Sequence, residues 1–345
     1  MDHAEQIRWT DDSGPGIARE KDGDGWAYTA PGGERITDEA ELDRLNKIGL
    51  PPAYANCWFN PDPLGHIQAT GYDDKGRKQY RYHAGFREAQ EAAKYERTAA
   101  FGRALPRLRA KVEADLKHRG LDKARAVAAV VRLLDLGQIR VGSEEYVRKN
   151  QSYGATTLRK KHAELRGTTL KLQFKAKSGK LRQLRITDRS LATVVKRCQD
   201  LRDQHLFAYL DAHGEAHPVS STDVNDYIKD ATGEDFTAKN FRTWGASLMA
   251  FEALVKAKDD ITLKTLLEPV VERLGNTPAI ARKSYVHPRL IDLCKEGQAD
   301  FRQALRLPRA SKHLSRTERG LIAFLEQEVV PALEEAAEQE VREAA

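Results

Sequence analysis

The feature that most constrains this chain is an abrupt change of texture near Phe86. Up to that point turn formers punctuate short aromatic and β-branched runs: Ser13-Gly14-Pro15-Gly16, Gly23-Asp24-Gly25, Pro31-Gly32-Gly33 and Asp73-Asp74-Lys75-Gly76. Gly tolerates positive φ, and Pro and Asp start turns, so this spacing predicts strands joined by tight turns. Asp38 to Lys47 is the exception, with Leu42 and Leu45 at helical spacing before Pro51-Pro52 stops it. Beyond Phe86, Ala, Glu, Lys, Arg and Leu recur with a helical period for most of the chain. The expected fold class is α+β. A small β-rich N-terminal domain over residues 1–86 precedes a larger, mainly α-helical domain over 87–345.

That larger segment contains one clear β element. Leu170, Leu172 and Phe174 alternate with Lys171, Gln173 and Lys175, and Leu181 to Ile186 follows beyond Ser178-Gly179, which predicts a hairpin and hence a small antiparallel sheet. By the period of two, Lys177 continues the polar face and projects from the tip. Helices are expected over 191–209, 222–231, 238–256 and 263–274. Thr277 as N-cap with Pro278 at the first helical position opens another. Ser315 with Glu318 forms a capping box for a final helix, which Pro331 should break or kink. The most apolar run, Ala126 to Leu134, is interrupted by Arg132 and is far shorter than the ~20 residues of a membrane span, so it reads as a core helix. The acidic, polar start lacks the two regions of a signal peptide, and the three cysteines, Cys57, Cys198 and Cys294, are dispersed. Neither secretion nor a disulfide framework is expected, and a cytoplasmic protein fits.

Charge narrows the partner. The formal net charge is +6, yet residues 326–345 hold seven Glu and one Arg, so the rest of the chain is more basic than the total implies. Residues 148–197 carry fifteen Lys or Arg against only Glu164 and Asp188, an imbalance too one-sided for a salt-bridged helix face and suited to a polyanion. No Gly-rich phosphate loop, paired-His metal helix or nucleophile-serine turn is present. His213 and His217 stand at metal-ligand spacing, but beside Gly214 and Pro218 they read as a loop pair, so neither a metal nor a nucleotide cofactor is expected.

Three stretches are specific in combination: Leu134-Asp135-Leu136-Gly137-Gln138-Ile139-Arg140-Val141-Gly142, Lys239-Asn240-Phe241-Arg242-Thr243-Trp244-Gly245, and Gly275-Asn276-Thr277-Pro278-Ala279-Ile280-Ala281-Arg282-Lys283-Ser284-Tyr285. With the hairpin lysine they resemble type IB DNA topoisomerases, particularly the short poxvirus-like and bacterial forms. The N-terminal stretches Ile48-Gly49-Leu50-Pro51-Pro52-Ala53-Tyr54, Gly65-His66-Ile67-Gln68-Ala69-Thr70-Gly71 and Gly76-Arg77-Lys78-Gln79-Tyr80-Arg81-Tyr82-His83 resemble the bacterial members, so the likeness covers nearly the whole chain. It implies two lobes closing around duplex DNA and a catalytic set of Arg140, Lys177, Arg242, Asn276 and Tyr285. The last lies nine residues beyond Asn276, as the family pattern requires. Many members place His where Asn276 stands. Both side chains donate to a phosphate oxygen, but only His carries a titratable proton, so a proton-shuttling role is lost. The DNA-contacting positions carried over are Arg77, Gln79, Tyr80, Tyr82 and Tyr146.

The resemblance implies a monomer in a bacterial nucleoid that nicks one strand of double-stranded DNA through a 3′-phosphotyrosine. It would relax supercoils of both signs and reseal the strand without ATP or metal, with no membrane association. A site-specific tyrosine recombinase uses nearly the same chemistry. Recombinases, however, usually show His-x-x-Arg where this chain has Lys239-x-x-Arg242, and a helical rather than β-rich domain ahead of the catalytic one. A non-enzymatic DNA-binding protein would use the basic strip alone.

Overall fold

The computed structural model describes residues 7–326, so the Pro331 break and the rest of the Glu-rich tail lie outside the described residues. The chain divides into two compact units after Lys94, within the helix that begins at Ala84.

In the first unit, five antiparallel strands form one sheet in the order β2-β1-β3-β4-β5: β1 (Ile17–Asp22), β2 (Gly25–Thr29), β3 (Ala55–Phe59), β4 (Ile67–Tyr72) and β5 (Lys78–Tyr82). Helix α1 (Glu39–Lys47) forms where the Leu42/Leu45 spacing predicts it. Asp38 caps it by accepting the Glu41 N–H at 2.8 Å. Leu45 is buried with Ile17, Tyr28, Leu50, Phe59 and Ala69, a small core in which the Leu, Ile and Phe side chains are worth about 1.5–3 kcal/mol each when fully buried. Strand β5 has only β4 as a neighbour and forms an edge.

Helix α2 (Ala84–Asp115) leads into the second unit, whose centre is α3 (Lys123–Gly137). From Ala126 to Leu134 every residue of α3 is buried except Arg132, which pairs with Asp188 at 2.8 Å, so the most apolar run of the chain is indeed the core helix. Around it pack α5 (Arg189–Gln199), α6 (Ser221–Thr232) and α7 (Ala238–Lys256), followed by α8 (Leu263–Leu274), α9 (Pro278–Ser284), α10 (Pro288–Lys295), α11 (Gln298–Ala304) and α12 (Arg316–Glu326). The Ser315–Glu318 capping box is present in both directions, at 2.8 and 3.1 Å.

The hairpin comprises β7 (Thr169–Lys175) and β8 (Leu181–Thr187), and β6 (Ala163–Arg166) joins it to make three antiparallel strands. Leu170, Leu172, Phe174, Leu184 and Ile186 face the core. One expected helix is overturned: 191–209 is not continuous. Lys160 Nζ donates to the carbonyls of Gln199 and Leu201, the chain leaves the helix there, and Ala208–Leu210 is a strand, β9, paired with β10 (Ala216–Pro218).

Candidate active site

The end of α3 determines where Arg140 stands. Gln138 adopts the left-handed conformation at φ 49°, and its N–H returns to the Leu134 carbonyl at 2.8 Å, turning the chain out of the core. Residues 140–142 then lie against 154–157, with Ala155 N–H donating to the Arg140 carbonyl at 2.9 Å and Thr156 N–H to that of Val141 at 2.8 Å. A Cβ on Gly154 would fall 2.5 Å from the Gly142 nitrogen and 2.6 Å from the Arg140 oxygen, so only glycine permits this crossing.

Arg242 projects from the first turns of α7 and is only 4% exposed. Its Nη1 donates to the Gln138 carbonyl at 2.7 Å, while Nε and Nη2 are buried without a hydrogen-bond partner among the described residues. Asn276 sits in the turn between α8 and α9. Gly275 ends α8 at φ 67°, and Thr277 caps α9 ahead of Pro278, as the sequence predicts. The Asn276 Oδ1 accepts from Arg140 Nη2 at 3.1 Å, and its Nδ2 is buried and unpartnered among the described residues. Leaving a buried donor unmade costs about 1–3 kcal/mol, more for a charged group, so three such donors in one site leave it short of an acceptor.

Tyr285 follows α9 directly. Its carbonyl accepts from Ser247 Oγ of α7 at 3.4 Å, and the same Oγ accepts the His287 N–H at 3.1 Å, which ties the tyrosine's backbone to the helix carrying Arg242. The Arg242 guanidinium carbon lies 4.9 Å from the centre of the Tyr285 ring. Burial pushes the Tyr285 phenol up, but Arg242, Arg140 and Asn276 together outweigh it and hold the phenol below its ordinary value of 10.

Lys177 lies in the tight turn at the hairpin tip, beyond the inward-facing Ala176, and is exposed as the period of two requires. Arg140, Lys177, Lys180, Arg182 and Arg242 line one cleft, and no carboxylate lines it with them. Of the three hairpin lysines, Lys180 donates to the Gly275 carbonyl at 3.2 Å, Lys175 does not line the cleft, and Lys177 lines it with its amine unbonded among the described residues. Sequence reasoning missed Arg182, although a signal existed: it shares the inward face with Leu184 and Ile186, opposite Phe174, where an arginine needs a reason. It also missed Gln138 and Ser247, whose roles depend on a backbone carbonyl and a long-range hydroxyl contact.

The expected DNA-contacting residues separate into two kinds. In the first unit, Arg77 and Gln79 both bond Asp73, at 2.7 and 3.0 Å, and Arg77 foremost holds that carboxyl at about 2. Tyr80 and Tyr82 are 42% and 41% exposed, with rings stacked 5.9 Å apart at 11°. In the second unit, Tyr146 is 55% exposed on α4 (Glu144–Asn150). Part of the basic strip is paired, Arg159 with Glu144 and Arg166 with Glu164, whereas Lys161, Lys175, Arg185, Arg189 and Lys196 have no side-chain bond among the described residues. His217 pairs with Asp211 at 2.8 Å and lies near Glu215. His213 is not part of this group.

With this geometry in view, the family model for the catalytic core of eukaryotic DNA topoisomerase I matches residues 83–280, and that for the N-terminal domain of bacterial DNA topoisomerase IB matches residues 25–73. Tyr285 and the stretch from Arg77 to Tyr82 lie outside both matches. A DNA topoisomerase 1B of Acanthamoeba polyphaga mimivirus is 33% identical over 300 residues, covering 83% of this chain and 89% of its own. The DNA topoisomerase 1B of Vaccinia virus (strain Copenhagen) is 22% identical over 257 residues, covering 70% and 76%. Among solved structures, the XerH site-specific recombinase bound to difH substrate in a pre-cleavage complex superposes with a TM-score of 0.36 at 20% identity, covering 54% of this chain and about half, 51%, of that one. The chain belongs to the type IB DNA topoisomerase family, a family of isomerases.

Proposed function

We propose that this chain relaxes supercoiled duplex DNA of either sign by nicking and resealing one strand, without ATP or metal. The observation that carries the reading is the cluster of unpartnered buried donors on Arg242 and Asn276, with Arg140 beside them and the Tyr285 ring against Arg242. Such donors match the non-bridging oxygens of a phosphodiester passing through a pentavalent state. Tyr285 Oη attacks phosphorus, its proton passing to solvent. As the new P–O bond forms, the bond to the 5′ oxygen breaks, and that oxygen takes a proton from Lys177. The 3′-phosphotyrosine keeps the energy of the broken bond, so the free 5′ hydroxyl can reseal it after the downstream duplex has turned about the intact strand.

Arg140, Arg242 and Asn276 are thus assigned to charge stabilisation, Tyr285 to attack and Lys177 to general acid catalysis. Tyr80, Tyr82 and Tyr146, with Arg77 and Gln79 placed through Asp73, are assigned to DNA contact. Action as a monomer on nucleoid DNA is part of the same reading, and the bacterial N-terminal match favours a bacterial setting. Among the described residues no helix is long and apolar enough to cross a membrane.

Incubating the protein with positively and with negatively supercoiled plasmid, in chelator and without ATP, tests the reading. Relaxation of both is expected. Retardation without relaxation would leave only a binding protein, and recombinant products requiring paired target sites would indicate a recombinase.

A further inference from the structure

We propose that Lys180 and Arg182 are positioning residues, a latch that ties the hairpin tip to the end of α8 and holds Lys177 in register with Asn276. Lys180 Nζ donates to the Gly275 carbonyl at 3.2 Å; Arg182 donates from Nη1 to the Glu272 carbonyl at 3.0 Å and from Nη2 to that of Arg273. The end of a helix leaves its last carbonyls unpartnered and carries the negative end of the macrodipole, so two cations are well placed there. Gly275 makes the approach possible. A Cβ at that position would stand 3.0 Å from Arg182 Nη1, and the residue already has a positive φ of 67°.

The tip needs this restraint. Upstream it is held through Tyr153 N–H to the Lys175 carbonyl at 2.8 Å and Ser152 Oγ to that of Ala176 at 3.2 Å, both before Lys177. Ser178 and Gly179 then turn exposed through φ 66° and 72°, and the next bonds outward from the hairpin are those of Lys180 and Arg182. The end of α8 is braced without them, by Gly275 N–H to the Val271 carbonyl at 2.9 Å and by Arg140 on Asn276 at 3.1 Å. The turn itself is closed by Ala176 N–H to the Lys180 carbonyl at 2.8 Å, so cutting the latch lets the closed tip swing as a unit away from α8, and the group displaced is the Lys177 amine. The two neighbouring lysines divide the work: one is committed to a carbonyl, the other is free to reach a substrate.

This inference rests on the proposed reading of Lys177 as proton donor, and one set of measurements separates the two. Single-turnover cleavage is followed on a duplex with the natural bridging 5′ oxygen and on one with sulfur in its place, whose thiolate leaves without a general acid. The proteins are wild type, Lys177→Ala, Lys180→Met and Arg182→Met, with duplex affinity and thermal midpoint measured for each. Lys180 is exposed, so Lys180→Met leaves the core intact even if Arg182→Met weakens it. The latch predicts that Lys180→Met and Arg182→Met slow cleavage of the oxygen substrate about 10-fold or more, yet cleave the sulfur substrate within about threefold of wild type. Unchanged rates on oxygen, or equal deficits on both substrates while sulfur rescues Lys177→Ala, would overturn the latch alone. Failure of sulfur to rescue Lys177→Ala would overturn the donor reading and the latch with it.

Discussion

The Arg242 guanidinium carbon stands 4.9 Å from the centre of the Tyr285 ring, close enough for its charge to act on the phenol and leave two N–H groups free for a phosphate. One arginine thus serves the proposed nucleophile and the developing charge at once. Burial pushes the phenol up, and Arg242 is the foremost group pulling it below 10. On the bridging-sulfur substrate, which needs no proton donor, wild-type cleavage should rise with pH and level off below pH 10. Arg242→Gln removes the charge, so its plateau should move to higher pH. An unmoved plateau would separate Arg242 from the phenol.

Arg242→Ala should slow single-turnover cleavage by about 10²–10³-fold or more, because donors aimed at non-bridging oxygens act mainly in the transition state. Sulfur at the bridging position should leave that deficit in place, since the missing charge does not concern the leaving group. Full rescue of Arg242→Ala by sulfur would assign this arginine to the leaving oxygen instead.

Much of this site is legible in the amino-acid sequence, and the reason is local. The Thr277-Pro278 helix start, the Lys239-x-x-Arg242 spacing on α7 and the alternation that exposes Lys177 all follow from short-range geometry. What escapes the sequence depends on distant chain segments. Ser247 meets Tyr285 and His287 through backbone groups, Gln138 acts through a carbonyl exposed by a left-handed non-glycine residue, and Arg182 finds its acceptors at the end of a helix some ninety residues on. Helix 191–209 fails for the same reason: Lys160, remote in sequence, takes the carbonyls at which α5 stops.

Stability should respond to the ion pairs behind α3. Arg109 bonds Asp135 and Glu318, both at 2.8 Å, joining α3 to α12. Burial pushes the Glu318 carboxyl up, but Arg109 outweighs it and holds it below 4.5. Its stabilising contribution is therefore present above its unfolded value and lost as pH falls through the lower folded one. Glu318→Gln should cost about 1–3 kcal/mol at pH 7 by chemical denaturation, since Arg109 keeps Asp135. The gap to wild type should close as the solution is acidified below the ordinary glutamate range; a gap that widens there would contradict the pairing.

Duplex binding should weaken steeply with salt. Replacing an unbonded cation of the strip, Lys161, Arg185 or Lys196, should lower the slope of log affinity against log salt by roughly one unit for each phosphate that is no longer neutralised. Arg166, already paired with Glu164, should matter less. A slope unchanged by all four substitutions would place the DNA on another face.

The most direct test is to trap the covalent intermediate. A duplex that loses its short downstream strand after cleavage should accumulate a denaturant-stable adduct, and peptide mapping should place the DNA on Tyr285 through a 3′ phosphate, with Tyr285→Phe binding the duplex but forming no adduct. An adduct on another tyrosine, linkage through a 5′ phosphate, or an adduct that persists in Tyr285→Phe would contradict the account.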